Sequence, residues 1–537
     1  MTNLSTLFPE ESSIPEQFRI QAPLEIAAYL IGGRIHDWKG EMLRVESPIE
    51  TGKDGVFSPK VIGSCPVLNE ETGLEAVEAV RAAYDNGMGV WPTMSVADRI
   101  LHVEDFTHRM VEERDTVVRL MMWEIGKPYK ESCVEFDRTV EYIRDTIDSL
   151  KALDRTSSRF VIESGIYAQI RRAPLGPTLC MGPYNYPLNE TFATLIPALL
   201  MGNPVIIKPP RLGKLLFAPL MEAFRDCFPA GVVNLVFGNR QLIKPILESG
   251  VINVLAFIGS SEAANAMRMS HPSPNRLRCI LGLGAKNAAI ITDFADMELA
   301  VAEAVAGSLS FSGQRCTALK VLFVHENKVD EFIERFNKGL EKMPIGMPWD
   351  EGVRITPLPE PGKISYLTTL VEDAVQHGAR IVNPNGGDVE RSLFHPAVLY
   401  PVNSEMRIYH EEQFGPVVPI IPFRDMETPI RYIIESRYGQ QMSIFSDDSE
   451  EVARLIDPMV NQVCRVNINC LCQRGPDSFP FTGRKDSAEA TLSVDDALRC
   501  FSIRTLVAAK GTPRNKALLS DITRKHSSNF LTTDFIM

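Results

Sequence analysis

Residues 178–181 read Thr-Leu-Cys-Met, 205–208 Val-Ile-Ile-Lys, 232–237 Val-Val-Asn-Leu-Val-Phe and 254–258 Val-Leu-Ala-Phe-Ile. Each is a short apolar run of strand length. Between them, residues 188–201, 215–228 and 241–248 carry apolar side chains at helical spacing. Strands that alternate with helices at this interval imply a parallel sheet covered by helices. A second alternating set starts at 288–292 and continues with a helix over 295–310, a strand near 318–324 and a helix over 328–341. We place a domain boundary near Gly284. Upstream, helical periodicity fills 74–86, 95–127 and 135–153, after a short strand pair near 29–47. Residues 159–172 alternate apolar and polar, which predicts an exposed strand or arm. Residues 511–537 read as a polar tail.

Composition sets the class. The chain has 537 residues, 45% hydrophobic, 23% charged and 8% aromatic, the profile of a globular protein rather than a disordered or collagen-like one. Its formal charge is −12, with no basic stripe of the kind that nucleic acid requires. The ten cysteines form no regular framework, and Cys470 and Cys472 make a C-x-C without nearby histidines. We expect no zinc site and no disulfide scaffold, hence a reducing, cytoplasmic setting. The opening residues carry Glu10 and Glu11 and no apolar core of a signal sequence. The longest apolar stretch, 196–207, is broken by Pro197, Gly202, Asn203 and Pro204, so no membrane span is expected.

Two motifs carry chemistry. Residues 311–317, Phe-Ser-Gly-Gln-Arg-Cys-Thr, place Cys316 after a helix end and a glycine turn, beside Arg315. A neighbouring cation and backbone N–H groups stabilise a thiolate, although a lone cysteine is more often a buried small hydrophobe. Residues 182–187, Gly-Pro-Tyr-Asn-Tyr-Pro, clamp a turn between two prolines and present Asn185, whose amide suits a developing oxyanion.

Together these motifs resemble the aldehyde dehydrogenase superfamily over about residues 29–509. Its P-x-N-x-P turn, strand-Lys-Pro, F-x-G-S, nucleophile loop and E-x-F-G-P segments stand in order here at Asn185, 205–210, 257–260, Cys316 and 412–416. The detail is similar to one branch, the non-phosphorylating NADP-dependent glyceraldehyde-3-phosphate dehydrogenases, through 312–318, Lys208-Pro209-Pro210, Arg138-Thr139 and 473–481. The resemblance implies a Rossmann-type cofactor domain at 17–155 and 176–283 and an α/β catalytic domain at 284–490. It further implies a β oligomerisation arm at 156–175 and 491–510, and thus a homodimer or homotetramer.

By the same resemblance Cys316 attacks the aldehyde, and Asn185 with the Cys316 backbone N–H holds the oxyanion. Hydride passes to the nicotinamide and leaves a thioester. Lys208, Arg211, Gly259, Ser260, Glu412 and Phe414 would bind the cofactor. Arg211 stands where many NAD-preferring relatives carry Glu, and a cation there favours the 2′-phosphate of NADP. Arg138, Tyr186, Arg315 and Arg474 would bind the substrate phosphate, a dianion suited to the arginine fork. The expected reaction is oxidation of glyceraldehyde 3-phosphate to 3-phosphoglycerate.

One position departs from the pattern. Hydrolytic members carry Glu in an L-E-L-G-G-K segment, whereas 281–286 here read Leu-Gly-Leu-Gly-Ala-Lys. Gly282 occupies the slot of the general base, whose loss removes ~10²–10⁴-fold of rate. Three readings stay open: another carboxylate such as Glu412 acts as base, coenzyme A takes the acyl group, or the chain is a low-activity binding protein of this fold.

Overall fold

The computed structural model describes residues 4–53 and 55–536. Two open α/β sheets dominate it. The first has eight strands in the order Ala488–Glu489, Arg278–Gly282, Val254–Ile258, Thr178–Met181, Val205–Ile207, Val233–Leu235, Ala28–Ile31 and Arg34–Asp37. Its five inner strands pair in parallel, as their buried apolar runs imply. The helices Asn189–Leu200 and Arg240–Glu248 supply crossovers. Every residue of Asn189–Leu200 is buried, Glu190 included.

The second sheet has seven strands in the order Arg380–Ile381, Ala397–Tyr400, Val417–Phe423, Leu319–His325, Asn287–Ile291, Gln441–Phe445 and Arg465–Ile468. The first sheet's run ends at Gly282 and the second begins at Asn287. A short strand returns from late in the chain, so that Ala488 pairs antiparallel with Gly282.

A third sheet is built from Phe160–Glu163, Ile166–Pro174 and Ser502–Lys510. It is a three-stranded arm with exposed Val161, Ile162, Ile503 and Leu506. The 95–127 periodicity resolves into two helices, Val96–Glu112 and Arg114–Ile125. The strand pair expected near 29–47 is two hairpins, the second running from Met42–Lys53 to Val56–Pro66. The expected tail contains the helix Pro513–Arg524, capped by the Thr512 hydroxyl. Among the described residues no helix is long and apolar enough to cross a membrane.

Candidate active site

In the first sheet the chain runs from Thr178–Met181 outward through two strands, then returns to the other side of its starting strand at Val254–Ile258. Open α/β sheets bind ligands in the crevice beyond the strand ends at such a reversal. The turn 182–187 leaves one of these strands and Gly259-Ser260 leaves the other. Asn185, Tyr186, Arg211, Gly259, Ser260, Cys316, Glu412 and Phe414 line a single cavity of about 580 Å³ there. Lys208 and Arg211 line an adjoining cavity of about 680 Å³. Arg138, Arg315 and Arg474 line neither.

The nucleophile loop is a strained turn. Phe311, Ser312 and Gly313 have φ of 49°, 52° and 71°, three left-handed residues in a row. A side chain at Gly313 would put its Cβ 2.5 Å from the Gly415 carbonyl oxygen, so this glycine lets the loop rest on the 412–416 segment. The Asn287 amide donates to the carbonyl oxygens of Cys316 (2.8 Å) and Ala318 (3.1 Å) and fixes the far side of the loop. Burial and the Glu190 charge push the half-buried Cys316 thiol above its ordinary pKa. This corrects the expected role of Arg315 as thiolate partner. Its guanidinium turns away, donating to the Thr317 hydroxyl (3.0 Å) and the Cys472 carbonyl (3.4 Å).

The Asn185 turn is held from behind by a buried ion pair that sequence reasoning missed. The Lys127 ammonium pairs with Glu135, both side chains fully buried. Lys127 also donates to the Asn185 carbonyl at 3.0 Å and lies 3.4 Å from the Tyr186 ring centroid. Glu135 Oε1 accepts from the backbone N–H groups of Leu188 (3.0 Å) and Asn189 (3.1 Å), at the start of the following helix. The Asn185 amide donates to the Gln314 carbonyl at 2.8 Å, tying this turn to the nucleophile loop.

The second cavity is cationic. Burial and the nearby Lys214 and Arg211 push the Lys208 ammonium down to about 8. Among the described residues Lys208, Arg211 and Lys214 form no salt bridge. Clustered cations without partners favour a bound anion. Ser260 caps the helix Ser261–Ser270, its hydroxyl accepting from Ala263 N–H at 3.2 Å. Glu412 pairs with Lys320, and its loop is fastened by buried Lys286, which donates to Ile408 O, Glu411 O and Gln413 Oε1, each at 2.7 Å. The Phe414 ring lies 5.0 Å from the Lys320 ammonium and meets Tyr184 edge-on.

The arginines are engaged with carboxylates. Arg138 binds Asp477 bidentately, at 2.7 and 2.9 Å. Arg474 shares Asp477 at 3.2 Å and pairs with Glu190. Burial opposes the Arg474 charge, but Glu190 and Asp477 outweigh it and raise its pKa. At the general-base slot, Gly282 lies opposite Ile258 in the sheet and lines the first cavity, with no side chain to offer. Glu190 lines the same cavity and carried no motif in the sequence.

The model of the aldehyde dehydrogenase family matches residues 54–506. The NADP-dependent glyceraldehyde-3-phosphate dehydrogenase of Streptococcus equinus is 31% identical over 488 residues, covering 89% of this chain and 96% of that protein. The protein of the same name from Arabidopsis thaliana is 29% identical over 457 residues, covering 82% and 88%. A crystal structure of NADP-dependent glyceraldehyde-3-phosphate dehydrogenase from Bacillus halodurans C-125, solved with NADP, superposes with a TM-score of 0.82. It is 29% identical, and the match covers 91% of this chain and all of that one. The switch-point crevice and the cysteine loop facing it thus belong to a recognised class of oxidoreductase. The chain is a member of the aldehyde dehydrogenase family.

Proposed function

We propose that the protein oxidises a small phosphorylated aldehyde, glyceraldehyde 3-phosphate by likeness to its relatives, with NADP as oxidant and Cys316 as nucleophile. The carrying observation is that Cys316, Asn185 and Tyr186 share a cavity that adjoins the Lys208, Arg211 and Lys214 cluster. An aldehyde and a phosphorylated dinucleotide thereby have adjacent sites. The cluster of unpaired cations fits the 2′-phosphate of NADP, and Glu412 and Phe414, which line the Cys316 cavity, would hold its nicotinamide end.

In the mechanism, the Cys316 sulfur adds to the aldehyde carbon once its proton has left. The second N–H of the Asn185 amide and the Cys316 backbone N–H meet the oxyanion, at ~10²–10³ in rate per donor. NADP, when bound, supplies the acceptor for the substrate's hydride. The thioester left on Cys316 is then cleaved. Tyr186 lines the Cys316 cavity. Arg138 and Arg474 are taken up by Asp477 and Glu190, which leaves Arg315, paired with no carboxylate among the described residues, for the substrate phosphate. The exposed arm strands support a dimer or tetramer, because bare edges need covering.

A second reading is favoured by Gly282. With no carboxylate in that slot, coenzyme A would take the acyl group. Rapid mixing with NADP and glyceraldehyde 3-phosphate, followed at the NADPH absorbance with and without coenzyme A, separates the two. Steady turnover without coenzyme A supports hydrolysis. A single burst released by coenzyme A supports acyl transfer. No burst in either arm refutes the proposed substrate.

A further inference from the structure

Hydrolysis of a thioester at neutral pH calls for a group that takes a proton from water as it attacks. Five carboxylates face the cavity: Glu190, Glu262, Glu360, Glu411 and Glu412. Three are committed to other partners. Glu262 pairs with Arg437 at 3.5 Å, Glu360 with Lys363 at 2.7 Å, and Glu411 with Arg407 at 2.8 Å and the Tyr366 hydroxyl at 3.2 Å. Glu190 and Glu412 both raise the Cys316 thiol, Glu190 the more strongly. Glu412 is drawn to Lys320, and its other oxygen lies 2.8 Å from where a Gly284 Cβ would stand, next to Tyr438.

Glu190 is differently placed. It sits in the first turn of the helix Asn189–Leu200, five positions after Asn185 and directly behind the turn that carries it. The helix otherwise carries only Asn189, two threonines and apolar residues, and Glu190 is only 8% exposed. Acidic residues are rarely buried without a partner or a task. Its partner is Arg474, itself buried and anchored by Asp477.

We propose that Glu190 is the general base for hydrolysis of the Cys316 thioester, filling the role for which Gly282 has no side chain, with Arg474 as the residue that positions it. The inference rests on the reading of Cys316 as the thioester-forming nucleophile. The Glu190 carboxylate takes one proton from water while the water oxygen bonds to the thioester carbonyl carbon. The carbon–sulfur bond then breaks, the Cys316 thiolate leaves, and the proton on Glu190 passes to it. Acid and free thiol are formed, and no electron is gained or lost.

The test uses p-nitrophenyl acetate, which acetylates a thiolate and releases p-nitrophenolate without any cofactor. The burst reads acylation and the steady phase reads hydrolysis. Glu190→Gln should keep a full burst and lose ~10²–10⁴-fold in the steady phase, with acetyl-enzyme accumulating by intact mass. Glu190→Asp keeps the charge for Arg474 but withdraws the carboxylate, and should show the same split if the glutamine variant folds poorly. Gly282→Glu added to Glu190→Gln should restore the steady phase. Its Cβ would stand 3.3 Å from Ile258 Cγ1 and 3.6 Å from Leu492 Cδ1, contacts that need only a small shift. Removing the Glu190 charge should also move the burst's pH limb downward.

A steady phase unchanged in Glu190→Gln and Glu190→Asp, or burst and steady phase falling together, overturns the role of Glu190. So does a wild-type steady phase that appears only with added coenzyme A. A wild-type burst that survives in Cys316→Ala overturns the reading of Cys316 itself.

Discussion

Replacing Lys127 by methionine should damage both stability and the first chemical step. In the native protein Glu135 accepts from Lys127 and from the N–H groups of Leu188 and Asn189. Methionine fills much of the lysine volume but removes the cation, leaving a fully buried carboxylate with two backbone donors. Breaking one side of a buried pair costs about 3–5 kcal/mol. The Asn185 carbonyl also loses its donor at 3.0 Å, and Tyr186 loses the ammonium at 3.4 Å from its ring. A turn freed in this way lets the oxyanion amide drift, and one misplaced donor is worth ~10²–10³ in rate. Glu135→Gln in the same chain removes the stranded charge while its amide oxygen still accepts from the helix start. The double variant should therefore be more stable than Lys127→Met alone, with a coupling of about 0.5–3 kcal/mol. Because the chain is large and built on several sheets, the comparison is made on urea and thermal midpoints, alongside the amplitude and rate of the Cys316 burst. Stability losses that simply add in the double variant would falsify the coupling. A Lys127→Met burst at wild-type rate would separate the pair from the Asn185 turn.

Three further outcomes are expected. Arg211→Glu should turn cofactor preference from NADP towards NAD, since a carboxylate repels the 2′-phosphate that Lys208 and Lys214 attract; an unchanged ratio of kcat/KM values removes Arg211 from selection. Arg315→Ala should raise KM for a phosphorylated aldehyde by about 10–100-fold, the worth of one charge-assisted contact, and leave a neutral aldehyde largely unaffected. Equal effects on both substrates would sink the phosphate role. The burst rate should climb with pH through about 8.5, the ordinary thiol value, because Cys316 titrates above it and only its thiolate attacks. A plateau already reached at pH 7 would contradict that direction.

The fold was legible where burial is two-sided. The inner strands of the first sheet are short continuous apolar runs, and Thr178–Met181 and Val254–Ile258 have the bounds that those runs suggest. The long hairpin of Met42–Lys53 and Val56–Pro66 was obscured because much of it is exposed and Pro48 and Pro59 interrupt its alternation. The helix Pro513–Arg524 buries no residue, so it leaves no apolar period, although Thr512 followed by proline is a helix-start signal. In the site, Cys316 and Asn185 were visible because turn chemistry surrounds them. Lys127, Glu135 and Glu190 were not, since a single charge carries no local signature of burial and gains meaning only from a distant partner. Arg315 misled for the opposite reason: adjacency in sequence put a cation beside Cys316, while the turn directs the two side chains apart.

The charges around Arg474 tie the two proposals together. Arg138 and Arg474 are balanced one for one by Asp477 and Glu190, and Arg315 alone of the three arginines has no carboxylate among its described partners. Without Glu190, the buried Arg474 would share one carboxylate with Arg138, a costly arrangement for a guanidinium removed from water. With Glu190 the four charges balance, so Arg474 stays paired and holds the Glu190 carboxylate in place. The placement of one acidic residue on a buried helix thereby meets two needs: the buried arginine stays paired, and a carboxylate is held at the cavity that contains Cys316.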